Sequence, residues 1–319
     1  MPVTDGDECG SVRPVDTAIG SDRPVVVAAR LVLLGSIAAV VMVGLYAAMV
    51  RTSTGQRLDD VVFEGRKATF LGARRAVALV LTATVPAVLV GWMTIVVAAV
   101  RRRRTVDGLI TLAGVVATVV VARALKAELP RPGLFVPAFA GDANSFPSGH
   151  TAAVTATLLG GLAVCRPDVR GTAAVAAAAV VAAYSVAMLY SGWHRPADIA
   201  AGVVLATAVM APTIAARVLF APDPLIEEAA GPRPAVLLGS TIALDGWSRF
   251  WVVVALAVGS AASTLALRRP VSDLTQSLVA HLVAASLSAA GAGALVFVFA
   301  AALGPRRPTG LKGSETGTR

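Results

Sequence analysis

The sequence predicts an all-α, polytopic membrane protein: a six-span helical core followed by two further spans, about eight in total. The 319 residues are 56% hydrophobic and only 15% charged, whereas a soluble domain carries about 25% charged residues. The mean hydropathy is +0.75. Apolar stretches of about 20 residues recur along the chain, and each is long enough to cross a hydrocarbon core about 30 Å thick.

The predicted spans follow these apolar stretches in order. The first follows a polar, acid-rich N-terminal segment, and its length indicates a permanent anchor rather than a removable signal peptide. Short polar loops separate most of the others. We place the spans at residues 24–50, 76–100, 107–125, 150–165, 172–192, 197–220, 250–267 and 277–303.

The spans and the polar segments between them divide the chain into five parts. We expect a disordered cytoplasmic tail, a six-span helical core, a cytoplasmic connector, a two-span C-terminal extension and a basic cytoplasmic tail. These parts cover residues 1–23, 24–220, 221–249, 250–303 and 304–319, respectively. The last two spans carry no motif to which a chemical role can be assigned.

The arginines set the predicted orientation, because cytoplasmic loops of membrane proteins carry an excess of Lys and Arg. Arg101–Arg104, Arg166 and Arg170, and the C-terminal tail all fall on one side of an eight-span chain. Residues 51–75 are also basic but fall on the opposite side, where Asp59 and Asp60 partly offset their charge. We expect a multi-pass protein of a bacterial cytoplasmic membrane.

These loops also explain the formal net charge of +9, so we expect no nucleic-acid partner. Cys9 and Cys165 are the only cysteines, and neither has metal-ligand spacing around it. The sequence contains no glycine-rich nucleotide loop. We therefore predict no metal and no cofactor, with the bilayer as the partner of the apolar spans.

Three polar islands interrupt the apolar pattern, and one of them holds a histidine and an aspartate four residues apart. If the chain becomes helical at Pro196, His194 and Asp198 can share a helix face, and proline suits a first helical turn. A carboxylate beside an imidazole orients one ring nitrogen and leaves the other free for nucleophilic attack. The alternative is an interfacial histidine that merely pairs with a carboxylate.

A second island has the sequence Pro147-Ser148-Gly149-His150. Ser148 is well placed to precede a helix, and Gly149 allows a ligand to approach the backbone closely. Free N–H groups at a helix start bind phosphate oxygens, and His150 could protonate a leaving oxygen as a general acid. The alternative is a capped helix with an interfacial histidine.

The third island contains Lys126 and Arg131, with prolines on both sides of the arginine. Arginine can grip two phosphate oxygens, and lysine acts as a point charge. Snorkelling of two basic side chains at a membrane edge is the alternative. Because all three islands fall on the same predicted face, opposite the cytoplasm, one shared phosphate site explains them together.

The islands resemble the motifs of the type 2 phosphatidic acid phosphatase superfamily, which also includes vanadium-dependent haloperoxidases and bacterial acid phosphatases. That pattern consists of Lys, six residues and Arg-Pro, then Pro-Ser-Gly-His, then Ser-Arg, five residues, His, three residues and Asp. The match covers about 126 to 198. The resemblance implies that His194 is a nucleophile forming a phosphohistidine, with Asp198 orienting it and His150 protonating the leaving group. It further implies metal-free phosphate binding by Arg131, Ser148 and Gly149.

The chain departs from the pattern at two places. Ala124 occupies the position of the pattern's lysine, and we expect Lys126 to reach the phosphate instead. Ala187 and Met188 occupy the Ser-Arg positions, so one phosphate-binding arginine is missing. Losing one such charge-assisted contact costs about 1.5–3 kcal/mol. We expect Arg195, or a cation of residues 51–75, to replace it.

The resulting hypothesis is an integral-membrane lipid phosphatase. Its active site would face outward, which favours a polyprenyl diphosphate as substrate, with phosphatidate or phosphatidylglycerol phosphate next. One alternative is a phosphotransferase that passes the phosphate of the same intermediate to a hydroxyl group. Another is a non-catalytic protein that binds or transports lipid phosphates, which would need cations and N–H groups but neither a nucleophile nor an acid.

Overall fold

The computed structural model describes residues 23–64, 77–78, 81–134, 144–220 and 290–303. These residues are almost entirely helical and contain no strand, so the all-α class is confirmed. The N-terminal tail, the connector 221–249, the predicted span 250–267, the first part of the predicted span 277–303 and the C-terminal tail lie outside the described residues.

Six predicted spans coincide with helices, and the described part of the last predicted span is helical as well. The helices are α1 (Arg23–Leu45, continued by a π-helical turn, Tyr46–Val50), α2 (Ser53–Glu64), α3 (Thr84–Arg101), α4 (Thr105–Glu128), α5 (Gly149–Val164), α6 (Pro167–Ser191), α7 (Pro196–Phe220) and α8 (Ala290–Ala302). Five of the described helices are long and apolar enough to cross a membrane: α1, α3, α4, α6 and α7.

Helix α5 is the exception among the six core spans. It has 16 residues, which extend about 24 Å at 1.5 Å per residue. That length is less than the hydrocarbon thickness of about 30 Å. The helix is nevertheless surrounded by protein, since it packs against α3, α4, α6 and α7.

Helix α7 lies at the centre of the bundle and is the most buried of the five candidate spans. It packs against α1, α4 and α5, and many of its buried residues are small, such as Ala201, Gly202 and Ala206. Small residues at helix interfaces allow close approach of the backbones in a membrane bundle. Helix α8 joins the same apolar core through Val296 and Phe299.

Residues 53–64 form helix α2, although the sequence suggested a loop there. The Oγ1 atom of Thr52 accepts a hydrogen bond from Gly55 N at 3.0 Å, which caps the start of the helix. The Gln56 side chain donates to Val50 O at 2.8 Å and accepts from Leu134 N at 3.1 Å. These bonds hold α2 against the end of α1 and the segment that follows α4.

The four consecutive arginines Arg101–Arg104, here called the arginine block, and the polar islands lie at opposite ends of the bundle. Arg102 donates to Val164 O at the C-terminal end of α5. Arg217 donates to Ala163 O at 3.0 Å and its Nε atom lies 3.7 Å from an Asp107 oxygen. The N-termini of α5 and α7 and the C-terminus of α4 meet at the other end. The prediction that the islands share one face is therefore confirmed.

Candidate active site

His194 lies in a short connection between α6 and α7. Helix α6 ends at Ser191, and the next residue, Gly192, turns the chain through a left-handed backbone conformation (φ 71°). Glycine adopts this conformation without strain. Helix α7 begins at Pro196, as predicted. The buried imidazole of His194 has its Nδ1 atom 3.6 Å from Asp198 Oδ2, slightly beyond hydrogen-bond length. The structure therefore brings the predicted pair together, with Nε2 on the ring edge away from the carboxylate.

Asp198 is the centre of the polar network. Its fully buried carboxylate accepts hydrogen bonds from Arg131 Nη1 at 2.9 Å, from Ser145 Oγ at 2.6 Å and from Arg195 N at 3.0 Å. Its backbone carbonyl accepts from Ser148 N at 2.8 Å. One residue therefore connects all three islands, because Arg131, Ser148 and His194 each lie against it.

The second island starts α5, as the sequence indicated. Ser148 is the N-cap of that helix, and its hydroxyl accepts from Thr151 N at 3.4 Å. A Cβ atom added to Gly202 of α7 would lie 2.6 Å from Ser148 O. The absence of a side chain there lets the start of α5 approach α7 closely. A Cβ on Gly149, in contrast, would meet nothing within 4 Å, so space remains beside the first N–H groups of α5.

His150 is exposed at the first turn of α5. Its ring centroid lies 5.9 Å from that of Trp193, next to His194 in sequence. The second predicted catalytic histidine therefore lies beside the segment that carries His194, with Lys126 within electrostatic range of its imidazole.

The third island is held in place by the side chain of Asn144, which bonds to three backbone carbonyl groups. The Asn144 side-chain amide donates to Lys126 O, Leu129 O and Phe146 O at distances from 2.8 to 3.2 Å. Lys126 is half-buried in the last turn of α4, while Ala124 is exposed. Arg131 reaches across to Asp198 from the segment after α4.

The position of the missing arginine is apolar. Met188 is fully buried and lies in a cluster with Tyr184, Leu189 and Ile199, so no cation enters the site from this part of α6. Arg195 lies next to His194 in the sequence, but its Nε atom donates to Asp60 Oδ1 at 2.9 Å. Arg51 and Arg57, described cations of the 51–75 segment, are exposed.

Helix α2 instead supplies two carboxylates, which the sequence reasoning counted only as offsets to the basic loop. Asp59 is buried and accepts from Ala197 N at 3.0 Å and from Arg131 Nη2 at 3.3 Å. Burial and the negative charge of Asp198 raise the pKa of Asp59 to about 7, against the opposing effects of the Ala197 N–H and of the arginines. The sequence feature that could have indicated these carboxylates is the adjacent pair Asp59 and Asp60, which falls on the same predicted face as the islands.

The assembled groups suit phosphoryl transfer. An imidazole oriented by a carboxylate can act as a nucleophile, and a second imidazole can move a proton. Arginine, lysine and the start of a helix can hold phosphate oxygens. Among the residues that the structure describes, no three His, Cys, Asp or Glu side chains are grouped to hold a metal ion.

Comparison with known proteins agrees with this arrangement. The family model of the PAP2 superfamily matches residues 105–219, which run from the start of α4 to the end of α7 and include all three islands. No curated protein and no solved structure matches the chain. The matched segment ends where α7 ends, so the predicted C-terminal spans lie outside it. Through this segment, about a third of the chain, the protein is similar to the PAP2 superfamily.

Proposed function

We propose that the protein is an integral-membrane lipid phosphatase that works through a phosphohistidine on His194. The match of residues 105–219 to the superfamily model supports a phosphatase-type activity on lipid phosphates. The observation that carries the finer proposal is the Asp198 network: the buried carboxylate faces His194 and binds Arg131, and the backbone carbonyl accepts a hydrogen bond from the N-cap residue of α5.

In the proposed first step, Nε2 of His194 attacks phosphorus and the bond from phosphorus to the leaving oxygen breaks. His150 gives its proton to that oxygen. Asp198 keeps the His194 imidazole oriented through Nδ1 and stabilises its positive charge. Arg131, Lys126 and the N–H groups at Gly149 and His150 hold the phosphate oxygens, next to the Ser148 cap.

In the second step, a water molecule attacks phosphorus and the phosphorus–nitrogen bond breaks. His150, now neutral, takes the proton from that water. Inorganic phosphate leaves and both histidines return to their first state. These steps draw every proton and electron pair from groups of this chain, the substrate and water.

The proposed substrate is a lipid phosphate or diphosphate. The arginine block lies at the opposite end of the bundle from the site, and the positive-inside rule therefore supports a site at the outer face of a bacterial cytoplasmic membrane. That location favours a polyprenyl diphosphate, with phosphatidate or phosphatidylglycerol phosphate next. We propose residues 24–220 as the catalytic core.

A non-catalytic lipid-phosphate binding or transport protein is the second candidate. It is favoured by two observations: Met188 stands where the pattern has an arginine, and carboxylates of α2 pair with Arg131 and Arg195. A phosphotransferase would share the phosphohistidine and differ only in the acceptor, which would be an alcohol instead of water.

The deciding experiment is phosphate release by purified protein from prenyl diphosphates, phosphatidate and phosphatidylglycerol phosphate, with EDTA present. We expect release by the wild type and loss of release in His194→Ala. His281→Ala, which changes the histidine outside the three islands, is the matched control and should keep the activity. If the wild type and both variants bind lipid but release no phosphate, the result would favour the non-catalytic binding function. Transfer of the phosphate to an added alcohol would favour the phosphotransferase.

A further inference from the structure

We infer that α2 is an intramolecular competitor for the phosphate site, in which the Asp60 carboxylate holds Arg195 until a phosphate group displaces it. This inference rests on the proposed function, since it concerns the same site. It assigns Asp60 a role in setting the affinity for phosphate and Asp59 a positioning role that keeps α2 in place.

The first observation is how Arg195 is held. Its Nε atom donates to Asp60 Oδ1 at 2.9 Å, and its guanidinium carbon lies 5.4 Å from the centre of the Phe63 ring. Both partners belong to α2. Guanidinium groups bind carboxylates and phosphates through the same fork of N–H donors, so a carboxylate in this position occupies an arginine that a phosphate would use.

The second observation separates the two aspartates of α2. The Asp59 side chain is fully buried and bonds to Ala197 N and to Arg131, so it ties α2 to the start of α7. The side chain of Asp60 is 20% exposed, and that of Arg195 is 25% exposed. A partly exposed pair separates at little cost, whereas a buried one does not. Asp60 is therefore the carboxylate that a ligand can displace.

The third observation is how the charges of the site are paired. Both arginines of the site are already paired with carboxylates, Arg131 with Asp59 and Asp198 and Arg195 with Asp60. A phosphate group that enters this site gains an unpaired guanidinium only if a carboxylate leaves. Release of Asp60 from Arg195 supplies that guanidinium.

The test is the dissociation constant of inorganic phosphate, measured by 31P NMR titration of the purified full-length protein in detergent. Asp60→Asn keeps the size of the side chain and removes its charge. We expect about fivefold tighter binding, the equivalent of one partly exposed ion pair. Glu128→Gln is the matched control, because Glu128 is an exposed acid in the last turn of α4, at the same end of the bundle.

The inference requires that Glu128→Gln binds phosphate as the wild type does, and that Asp60→Asn brings no gain when Arg195 is changed to Ala. Equal affinities in the wild type and Asp60→Asn would overturn it, as would equal gains in Asp60→Asn and Glu128→Gln. Those results would leave the proposed function intact, since that is judged by lipid phosphate release. If no variant bound phosphate and none released it from lipid, both would be wrong.

Discussion

The two ends of the helical bundle both bury charged side chains, but they use them differently. At the arginine end, Arg102 and Arg217 donate to carbonyl groups of the last turn of α5, where cations complement a helix C-terminus. At the other end, the N-termini of α5 and α7 point at a cluster that contains His150, His194 and Asp198. Helix N-termini favour anions, so the two ends of these helices favour charges of opposite sign.

The comparison teaches that buried charge alone does not identify a site. Arg217 is among the most buried side chains of the described residues, yet its contacts include a helix carbonyl and Asp107, which suits a structural role. The active-site end differs because its groups include two imidazoles and donors at helix starts. Four experiments test this distinction, and they follow from the largest expected effect to the smallest.

Matched carboxylate substitutions at the two ends should differ most in activity. In Asp198→Asn the His194 imidazole loses its charged partner, and we expect turnover to fall by about 10³-fold or more, as when the aspartate of a catalytic triad is replaced. Asp107→Asn changes the carboxylate at the arginine end and should leave turnover per folded protein unchanged. Phosphate release, normalised to the folded fraction from size-exclusion chromatography, measures both. Equal losses in the two variants would contradict the assignment.

Replacing the buried arginine of the structural end should affect stability instead. Arg217→Met removes the donor to Ala163 O and leaves Asp107 without that partner, at a cost of about 3–5 kcal/mol for breaking a buried pair. We expect a lower unfolding midpoint in detergent with unchanged turnover for the protein that stays folded. A variant as stable as the wild type would show that the buried charge at this end has no structural role.

Replacement of two glycines at the candidate active-site end by alanine should have different effects on stability and activity. In Gly202→Ala the new methyl group would meet Ser148 O at 2.6 Å, so α5 and α7 must separate, and we expect a loss of about 1–3 kcal/mol in stability together with lower turnover. In Gly149→Ala the methyl group enters open space. Its stability should stay unchanged while KM rises, because the methyl group crowds the phosphate. Thermal unfolding and steady-state kinetics separate the two effects.

The pH dependence of stability should reveal Asp59. Because the pKa of Asp59 is raised from 3.8 to about 7 in the folded protein, its contribution is favourable below its unfolded pKa and is lost as the pH rises through about 7. Between pH 5.5 and 8 we expect the wild type to lose on the order of 1–2 kcal/mol relative to Asp59→Asn, which stays neutral. A constant difference between their unfolding free energies over this range would contradict the raised pKa.

Much of this arrangement could be predicted from the sequence. Apolar length and polar interruptions located the six core helices, and the positions of Ser148 and Pro196 indicated where α5 and α7 begin. Alternation of spans across the membrane placed the three islands on one face. These features are local, or they follow from counting spans, so the sequence alone sufficed.

Helix α2 and its carboxylates could not be predicted in the same way. Its twelve residues are mostly polar and too few to span a bilayer, so the hydropathy pattern favoured a loop. The contacts of Asp59 with Ala197 and of Asp60 with Arg195 join residues 138 and 135 positions apart. Such pairing depends on how α1 and α7 pack, which no local pattern records.

The most direct test of the central claim is to trap the phosphoenzyme. The protein is mixed with a lipid phosphate labelled with 32P, quenched with alkali and analysed for bound label. A phosphohistidine mechanism predicts a label that is stable to alkali and labile to acid, located on His194 and absent from His194→Ala. Steady hydrolysis by the wild type with no labelled histidine at any time point would contradict it.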